Sequence, residues 1–235
     1  MKYILLVLFF KISMVWSQSI LKDQKLIENN GFFTTFYSEK EDKIYLEVIN
    51  LDSSFLYISS LSQGVGSNVL FLDRGQLGGT RVVSFKKAGN KLLLVQPNLS
   101  YRAITANYLE RRSVEEAFSK SVLFGFEIVE TTEKGFLIDI TDVLKSNQQG
   151  NYSVDLSRSA LNLERTKSFP KNVDFDVLIT LKGSPLGQEI RSVTPDAKYI
   201  TVFQHHSFVE LPDNNFVPRI SHPNSGSITT SFMNY

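Results

Sequence analysis

The sequence contains no cysteine among its 235 residues. Without thiols, the chain has no disulfide framework, no thiolate metal site, no catalytic cysteine and no cysteine for lipid acylation. An excess of charge of one sign is also missing, because 25 Lys and Arg residues are balanced by 24 Asp and Glu residues. This balance argues against a nucleic-acid partner or an anionic membrane surface. Any functional site must therefore use histidine, carboxylates, hydroxyls or the backbone.

Two familiar catalytic motifs are missing as well. No Gly-x-Ser-x-Gly occurs, the motif that places a serine nucleophile on a sharp turn, and no His-Glu-x-x-His occurs, the motif of a zinc-protease helix. The glycine-containing segment 63–68 is followed by an apolar run at 69–72 that is typical of a strand. A phosphate-binding glycine loop needs a helix at that point. We therefore interpret the glycines as part of a turn.

A long hydrophobic run is found only at the N-terminus. Residues 1–17 combine Lys2, an apolar stretch and small residues before Gln18, a pattern typical of a secretory signal peptide cleaved before Gln18. Lys11 interrupts the run, which is shorter than the roughly 20 residues needed to span a bilayer. We predict an exported protein (periplasmic, on the outer surface or secreted) with no membrane span after cleavage. Residues 18–235 are then expected to form a single β-rich domain.

Aromatic residues are plentiful, with 18 Phe and 9 Tyr, and they alternate with β-branched residues in short runs between turn residues. Such runs predict a mainly β fold, α+β with few short helices, built from antiparallel hairpins in a sandwich-like or barrel-like arrangement. The predicted strands are 32–37, 43–49, 54–60, 69–72, 81–85, 91–95, 122–130, 135–140, 173–181, 188–193 and 198–209. Short helices are predicted at 113–120, where Ser113 and Glu116 have the form of a capping box, and at 142–145. Residues 157–170 are interpreted as a linker or loop.

Histidine supplies the clustered candidates for metal ligation. His205 and His206 are adjacent, and Glu210, Asp213 and His222 follow nearby. Because neighbouring side chains on a strand point to opposite faces, the two histidines do not easily bind one ion. One is expected in a polar core network and the other on the surface. We predict no catalytic residue, no cofactor site and no metal site in this chain, with His205 and His206 as the candidates if a metal binds.

Paired carboxylates occur twice and resemble the acid and base of a glycosidase only superficially. Asp139 with Asp142 fits the capping of a helix, and Asp174 with Asp176 fits a solvated strand face. Neither pair is expected to carry catalysis.

Several ordered blocks of the sequence resemble the N-terminal region of a family of secreted bacterial zinc-dependent metalloproteases. The blocks are 63–68, 73–83, 97–103, 113–118, 169–173, 205–213, 218–219 and 222–226. The most specific is HHSFVELPD at 205–213, and together the blocks cover most of 31–235. In that family the leading region is a domain of unknown function, and a His-Glu-x-x-His zinc helix follows later in a much longer chain. The resemblance therefore implies no catalytic residue in this sequence.

The resemblance implies a noncatalytic N-terminal domain that packs against or regulates a metalloprotease domain, with zinc held by that protease domain. The alternative is a stand-alone exported module that binds a glycan or a protein. The β-prone run 227–235 has no following partner segment, so we interpret the sequence as truncated at its C-terminus. We further expect 228–235 and the strand around 199–209 to expose an apolar, unpaired edge that makes the isolated chain associate with itself.

Overall fold

The computed structural model describes residues 19–23, 25–148, 152–184, 187–213, 215–217, 219, 222, 224, 226 and 231–235. Residues 1–17, interpreted above as a signal peptide, lie outside this described part. Within it, no helix has the length and apolar character needed to cross a membrane.

The described residues are mainly in β-strands, with a few short helices. The strands are β1 (Leu26–Asn29), β2 (Thr34–Ser38), β3 (Lys43–Val48), β4 (Ser54–Gln63), β5 (Leu77–Ala88), β6 (Lys91–Gln96), β7 (Tyr101–Arg102), β8 (Ser121–Thr131), β9 (Phe136–Asp139), β10 (Ser153–Val154), β11 (Ala160–Phe169), β12 (Asn172–Lys182), β13 (Tyr199–Glu210) and β14 (Met233–Asn234). The α-helices are α1 (Ile20–Asp23), α2 (Tyr108–Ala117), α3 (Thr141–Leu144) and α4 (Gln188–Val193), and a 3-10 turn covers Leu156–Arg158. The predicted fold class, mainly β with few short helices, is confirmed.

Twelve of these strands form one antiparallel sheet. Its order is β1-β2-β3-β9-β8-β6-β5-β4-β13-β12, and β12 pairs on its other side with β11 over most of its length and with β10 near its end. Strands that follow each other closely in the chain pair as hairpins, which is the expected result of short connections. β7 and β14 pair in parallel as a separate two-stranded sheet.

The large sheet curls until its two ends approach each other. Phe32, in the link between β1 and β2, donates its backbone N–H to the Phe169 carbonyl at the end of β11 over 2.7 Å, and Ser168 Oγ donates to the Phe33 carbonyl over 3.2 Å. A Cβ at Gly31 would lie 2.6 Å from the Phe169 oxygen, so this close approach requires glycine. No strand ladder joins the two ends in the described chain, so the curled sheet is not a closed barrel.

The inner face of the curled sheet holds the main hydrophobic core. Its centre is Phe208 on β13, whose ring centroid lies 5.3 Å from those of Phe55 and Tyr57, 5.7 Å from that of Phe175 and 6.0 Å from that of Phe33. Aromatic pairs at such separations add to the free energy already gained by removing their surface from water. This core fixes the relative positions of β4, β12 and β13, the three strands that carry the polar site described below.

Two predicted strands are wrong. Residues 69–72 contain a turn, in which Phe71 adopts a left-handed φ of 54°. Residues 188–193 form helix α4, of which Ile190 is the buried residue. When a segment buries only one or two apolar side chains, their spacing fits both a strand, with a period of 2 residues, and a helix, with a period of 3.6. Tertiary contacts then decide its conformation.

The predicted linker is wrong, and so is the expectation of unpaired strands at 199–209 and 228–235, although Phe232, Met233 and Tyr235 do expose apolar side chains. Residues 157–170 contain the full strand β11, whose Leu161 and Leu163 pack against the core. β13 is an interior strand that pairs with β12 along its length and with β4 from Phe203 to Glu210, so residues 199–202 are the part of it without a partner on the β4 side. In the described part of the C-terminal run, β14 pairs with β7.

Candidate functional site

The outer face of β12 and β13 carries a line of hydrogen-bonded ionisable side chains. The strand register places Asp176 opposite His205 and Asp174 opposite Ser207. Because alternate residues of a strand share a face, these four side chains project from the same side of the sheet. His205 Nδ1 lies 2.5 Å from Asp176 Oδ1, and His205 Nε2 lies 3.0 Å from Ser207 Oγ. An aspartate, a histidine and a serine are therefore connected in series.

Asp176 is the buried anchor of this network, with a side chain that is only 1% exposed. Arg165 on β11 donates from Nε to Asp176 Oδ2 over 2.8 Å, and Ser62 on β4 donates from Oγ to the same oxygen over 3.1 Å. Both of its carboxylate oxygens are thus bonded. The prediction of a solvated strand face is wrong for Asp176, because side chains from β11 and β4 cover it.

The surroundings of His205 favour its protonated form. Its hydrogen bond with Asp176 raises its pKa above the ordinary value, the negative charges of Asp176 and Asp174 act in the same direction, and partial burial and Arg165 oppose them. When its ring is protonated, His205 donates from Nδ1 to Asp176 and from Nε2 to Ser207 Oγ. Ser207 Oγ then donates to Asp174 Oδ1 over 2.5 Å. Every proton in the series has an acceptor in this arrangement.

The same geometry argues against Ser207 as a nucleophile. A serine hydroxyl has one proton, and here Asp174 accepts it, whereas a catalytic serine gives its proton to the histidine. The backbone around Ser207 is paired with Asp174 on one side and Ile58 on the other, so its amides belong to the ladders and form no oxyanion hole. The network is suited to cross-strand stabilisation and not to acyl transfer.

His206 lies on the opposite face, in the core. Its Nδ1 is 3.0 Å from Tyr57 Oη and its Nε2 is 3.0 Å from the Leu144 carbonyl oxygen at the end of α3. Gln204, beside it, donates to the Ser146 carbonyl over 2.7 Å. Complete burial lowers the pKa of His206 to about 4, so the ring is neutral near pH 7. The prediction that the adjacent histidines occupy opposite faces, one in a polar core network, is confirmed.

These donors do not fit a zinc ion. The described residues contain no group of three or more His, Asp and Glu side chains that could hold a metal. Asp176 occupies one ring nitrogen of His205, and both ring nitrogens of His206 have protein partners. In the tail, His222 accepts a hydrogen bond at Nδ1 from the Asn224 N–H over 3.2 Å. Zinc sites in proteins take three or four converging ligands, and this arrangement does not supply them.

Because the sequence has no His-Glu-x-x-His helix and no cysteine, the purified chain is expected to hold no stoichiometric zinc and to hydrolyse no protein substrate, and Ser207 is expected to resist a fluorophosphonate probe. Elemental analysis, a casein assay and intact-mass measurement check the three expectations. One tightly held zinc per chain that is lost in His205→Gln would contradict this description of the histidines, and so would labelling of Ser207.

A second candidate site projects from the main sheet. We call it the α2 module, and it consists of residues 97–120 and 231–235. Its centre is aromatic, with the rings of Tyr101 and Phe118 stacked at 3.8 Å and the Tyr235 ring 5.3 Å from that of Phe118. This stack joins β7 and β14 to the end of α2.

Helix α2 begins earlier than predicted. Asn107 is its N-cap, accepting at Oδ1 from the Leu109 N–H over 3.0 Å and donating from Nδ2 to Glu110 over 3.0 Å. Ser113 lies in the middle of the helix. The predicted start at 113 is wrong because Asn107 and Glu110 supply the same capping chemistry six residues earlier.

The α2 module exposes large apolar side chains. None of the α2 side chains is buried, and Leu109 is 68% exposed. The exposed apolar residues of the module are Leu99, Ile104, Tyr108, Leu109, Phe232, Met233 and Tyr235. Scattered exposed apolar residues are normal, but a concentration in one small unit is typical of an interaction surface.

A groove of about 440 Å³ separates the α2 module from the main sheet. Its charged lining residues are Lys86, Arg102, Arg111, Lys120, Asp52 and Glu115. Lys86 pairs with Asp52 at 3.2 Å, and the guanidinium of Arg102 lies 4.2 Å from the centroid of the Phe232 ring. Because basic residues outnumber acidic ones, the groove favours an anionic group beside its apolar wall.

Residues 75–235 match a family described as a domain of unknown function, DUF5117. The chain belongs to this family. The DUF5117 match runs from the end of the turn before β5 to β14, so it includes the α2 module and most of the His205 network, whereas β1–β4 precede it. No curated protein and no solved structure matches the chain. Since DUF5117 has no assigned function, the match leaves the resemblance to metalloproteases as a prediction.

Proposed function

We propose that this chain is a noncatalytic β domain of an exported protein, and that it docks through the α2 module onto a zinc metalloprotease catalytic domain. The observation that carries the proposal is α2 itself. It has ten residues, buries none of its side chains and exposes Tyr108 and Leu109. Helices this short are marginal in water unless an apolar face is covered by tertiary contacts. A docked partner would supply that cover.

The choice of partner rests on the sequence blocks that build the module. Residues 97–103 form β7 and one wall of the groove, and residues 113–118 form the second half of α2 and the stacked Phe118. Both blocks carry the resemblance to the N-terminal regions of secreted metalloproteases. Because the groove is mainly basic, we expect the surface of the protease domain that docks there to present an acidic side chain close to apolar ones. The zinc would be held by the protease domain.

The test uses the purified chain and a recombinant His-Glu-x-x-His protease domain from the same genome, with affinity measured by isothermal titration calorimetry. Leu109→Asp is expected to weaken binding by about tenfold or more, because it places a charge in an apolar contact. Leu156→Asp is the matched control, since Leu156 is also well exposed, at 59%, but lies on the 3-10 turn beside β12. That control is expected to bind like the unmodified chain.

Absence of binding, or equal affinities for Leu109→Asp and the unmodified chain, would contradict docking through the α2 module. Binding of a glycan or an unrelated protein in place of the protease domain would instead support the stand-alone module. A second measurement distinguishes regulation from simple packing. If the domain regulates the protease, adding it changes the kcat/KM of the protease domain, and Leu109→Asp removes that change.

A further inference from the structure

A small pocket opens at the end of the sheet where the β1–β2 link, the end of β3 and the start of β4 meet. Its volume is about 80 Å³. A water molecule occupies about 30 Å³ in the liquid, so the space matches two or three waters or one small head group. The pocket lies in the part of the chain that precedes the DUF5117 match, and it shares no lining residue with the α2 groove or the His205 network.

A buried carboxylate lines this pocket. Glu47 on β3 is only 5% exposed, and the hydrogen bond that it receives comes from Thr132 Oγ1, at 2.7 Å from Oε1. Among the described residues, no Lys, Arg or His forms an ion pair with Glu47. An ionised carboxylate has about four acceptor positions, and burying one without a cation is unfavourable. The hydrogen bond from Thr132 leaves acceptor positions of the Glu47 carboxylate open to a cationic donor that enters the pocket.

The other wall of the pocket is aromatic. The ring centroids of Phe32 and Phe33 are 4.8 Å apart, and those of Phe33 and Phe55 are 5.3 Å apart. The faces of such rings attract cations electrostatically. The wall is also preformed, because Gly31 is packed against the Phe169 backbone and Phe55 is buried in the main core. A preformed site loses little conformational freedom when a ligand enters.

We propose that this pocket binds an alkylammonium group, with Glu47 as its counter-ion and Phe32, Phe33 and Phe55 as its apolar wall. An anion would be repelled by Glu47, and a neutral alkyl group would leave the carboxylate without a cation. The ammonium comes from a lysine side chain of a bound polypeptide or from a free small amine. Because the residues are different, this site stands independently of docking through the α2 module.

The first test titrates n-butylammonium and n-butanol into the ¹⁵N-labelled chain and follows amide shifts by NMR. The ammonium is expected to shift amides at 31–34 and 47–55 saturably, and the alcohol to bind about tenfold or more weakly. Glu47→Gln, which keeps the shape and removes the charge, is expected to weaken ammonium binding by about tenfold or more. Glu127→Gln on β8, where the side chain is 77% exposed, is the control and is expected to have no effect.

A second variant keeps the test decisive if Glu47→Gln does not fold. Ile49 is 48% exposed at the pocket and lies two residues after Glu47, so Ile49→Lys supplies a tethered ammonium. It is expected to raise the Tm and to reduce n-butylammonium binding by about tenfold or more. Equal binding of alcohol and ammonium would overturn the proposal, and so would unchanged ammonium binding in both variants.

Two further measurements distinguish a polypeptide ligand from a small amine, and the ammonium site from docking through the α2 module. An acetylated, amidated tripeptide with a central lysine is compared with n-butylammonium. Tighter binding of the tripeptide assigns the pocket to a polypeptide, and tighter binding of the amine assigns it to a small molecule. Leu109→Asp is expected to leave both affinities unchanged, so failure of α2 docking and failure of the ammonium site are observed separately.

Discussion

Asp176→Asn is expected to lower the free energy of unfolding by about 3 kcal/mol. The substitution keeps the shape of a side chain that is 1% exposed but removes the charge that Arg165, Ser62 and His205 all contact. Breaking a buried ion pair from one side costs about 3–5 kcal/mol. The lower end of this range applies because the Arg165 side chain is 53% exposed, so water can hydrate it once the Asp176 charge is removed.

Urea unfolding followed by circular dichroism measures this effect, since the single tryptophan is Trp16, within the predicted signal peptide. Glu127→Gln is the control, because it breaks the exposed pair with Lys91 and should change stability by less than about 0.5 kcal/mol. A loss in Asp176→Asn as small as that of the control would show that the buried network does not stabilise the fold.

The same variant is expected to lower the pKa of His205, because the hydrogen bond with Asp176 is the main cause of its raised value. A histidine with a higher pKa in the folded chain stabilises the fold below its ordinary pKa of 6.5, and this contribution is lost as the pH rises through the folded value. NMR titration of the ring protons is the measurement. An unchanged His205 pKa in Asp176→Asn would contradict the geometry of the network.

Acidification from pH 7 to pH 5 is expected to cost about 2 kcal/mol of stability through His206 alone. Its pKa is lowered by burial from 6.5 to about 4, so the folded chain holds the ring neutral while the unfolded chain takes up a proton. The unfolded state then binds more protons between pH 6.5 and 4, and stability falls as the pH falls through that window. Tyr57 and the Leu144 carbonyl bond the two ring nitrogens, so protonation also disturbs the core.

The comparison variant is His206→Gln, which offers polar atoms to the same neighbours but does not ionise. Its stability loss between pH 7 and pH 5 is expected to be about 2 kcal/mol smaller than that of the unmodified chain. Carboxylate titration is common to both chains and cancels in the difference. Parallel stability curves for the two chains would show that His206 does not have a strongly lowered pKa. His205→Gln should have the opposite effect, because the pKa of His205 is raised.

Most strands were predictable because alternation and aromatic content survive in the local sequence. The β8–β9 hairpin, β12 and β13 were all predicted within one or two residues of their observed bounds. β11 was missed because most of its residues are polar, which is typical of a loop. The alternating pair Leu161 and Leu163, which packs against the core, was its strand signal. Helix α4 was missed because it buries Ile190 and little else, and one buried anchor defines no period.

The candidate sites were less predictable than the strands. Strand alternation indicates that Asp174 and Asp176 lie on one face of β12, and that His205 and Ser207 lie on one face of β13. The pairing register between the two strands decides whether these side chains are neighbours on the same side of the sheet. Arg165 and Ser62 come from two further strands and leave no local signal of their role. The opposite faces of His205 and His206 needed only the strand period of two, which is why that prediction held.

By itself, the sequence determined the mainly β class, the absence of thiol chemistry and the opposite orientations of the two adjacent histidines, because composition and side-chain period are local properties. The curl of the sheet, the burial of Asp176 and the shared pocket that Glu47 lines together with three phenylalanines were decided by the tertiary structure. Each depends on strands that are distant in sequence but adjacent in register, or on a close backbone approach such as that of Gly31 to Phe169. Burial, charge pairing and pKa shifts arise from those non-local contacts, so they follow from the folded chain alone.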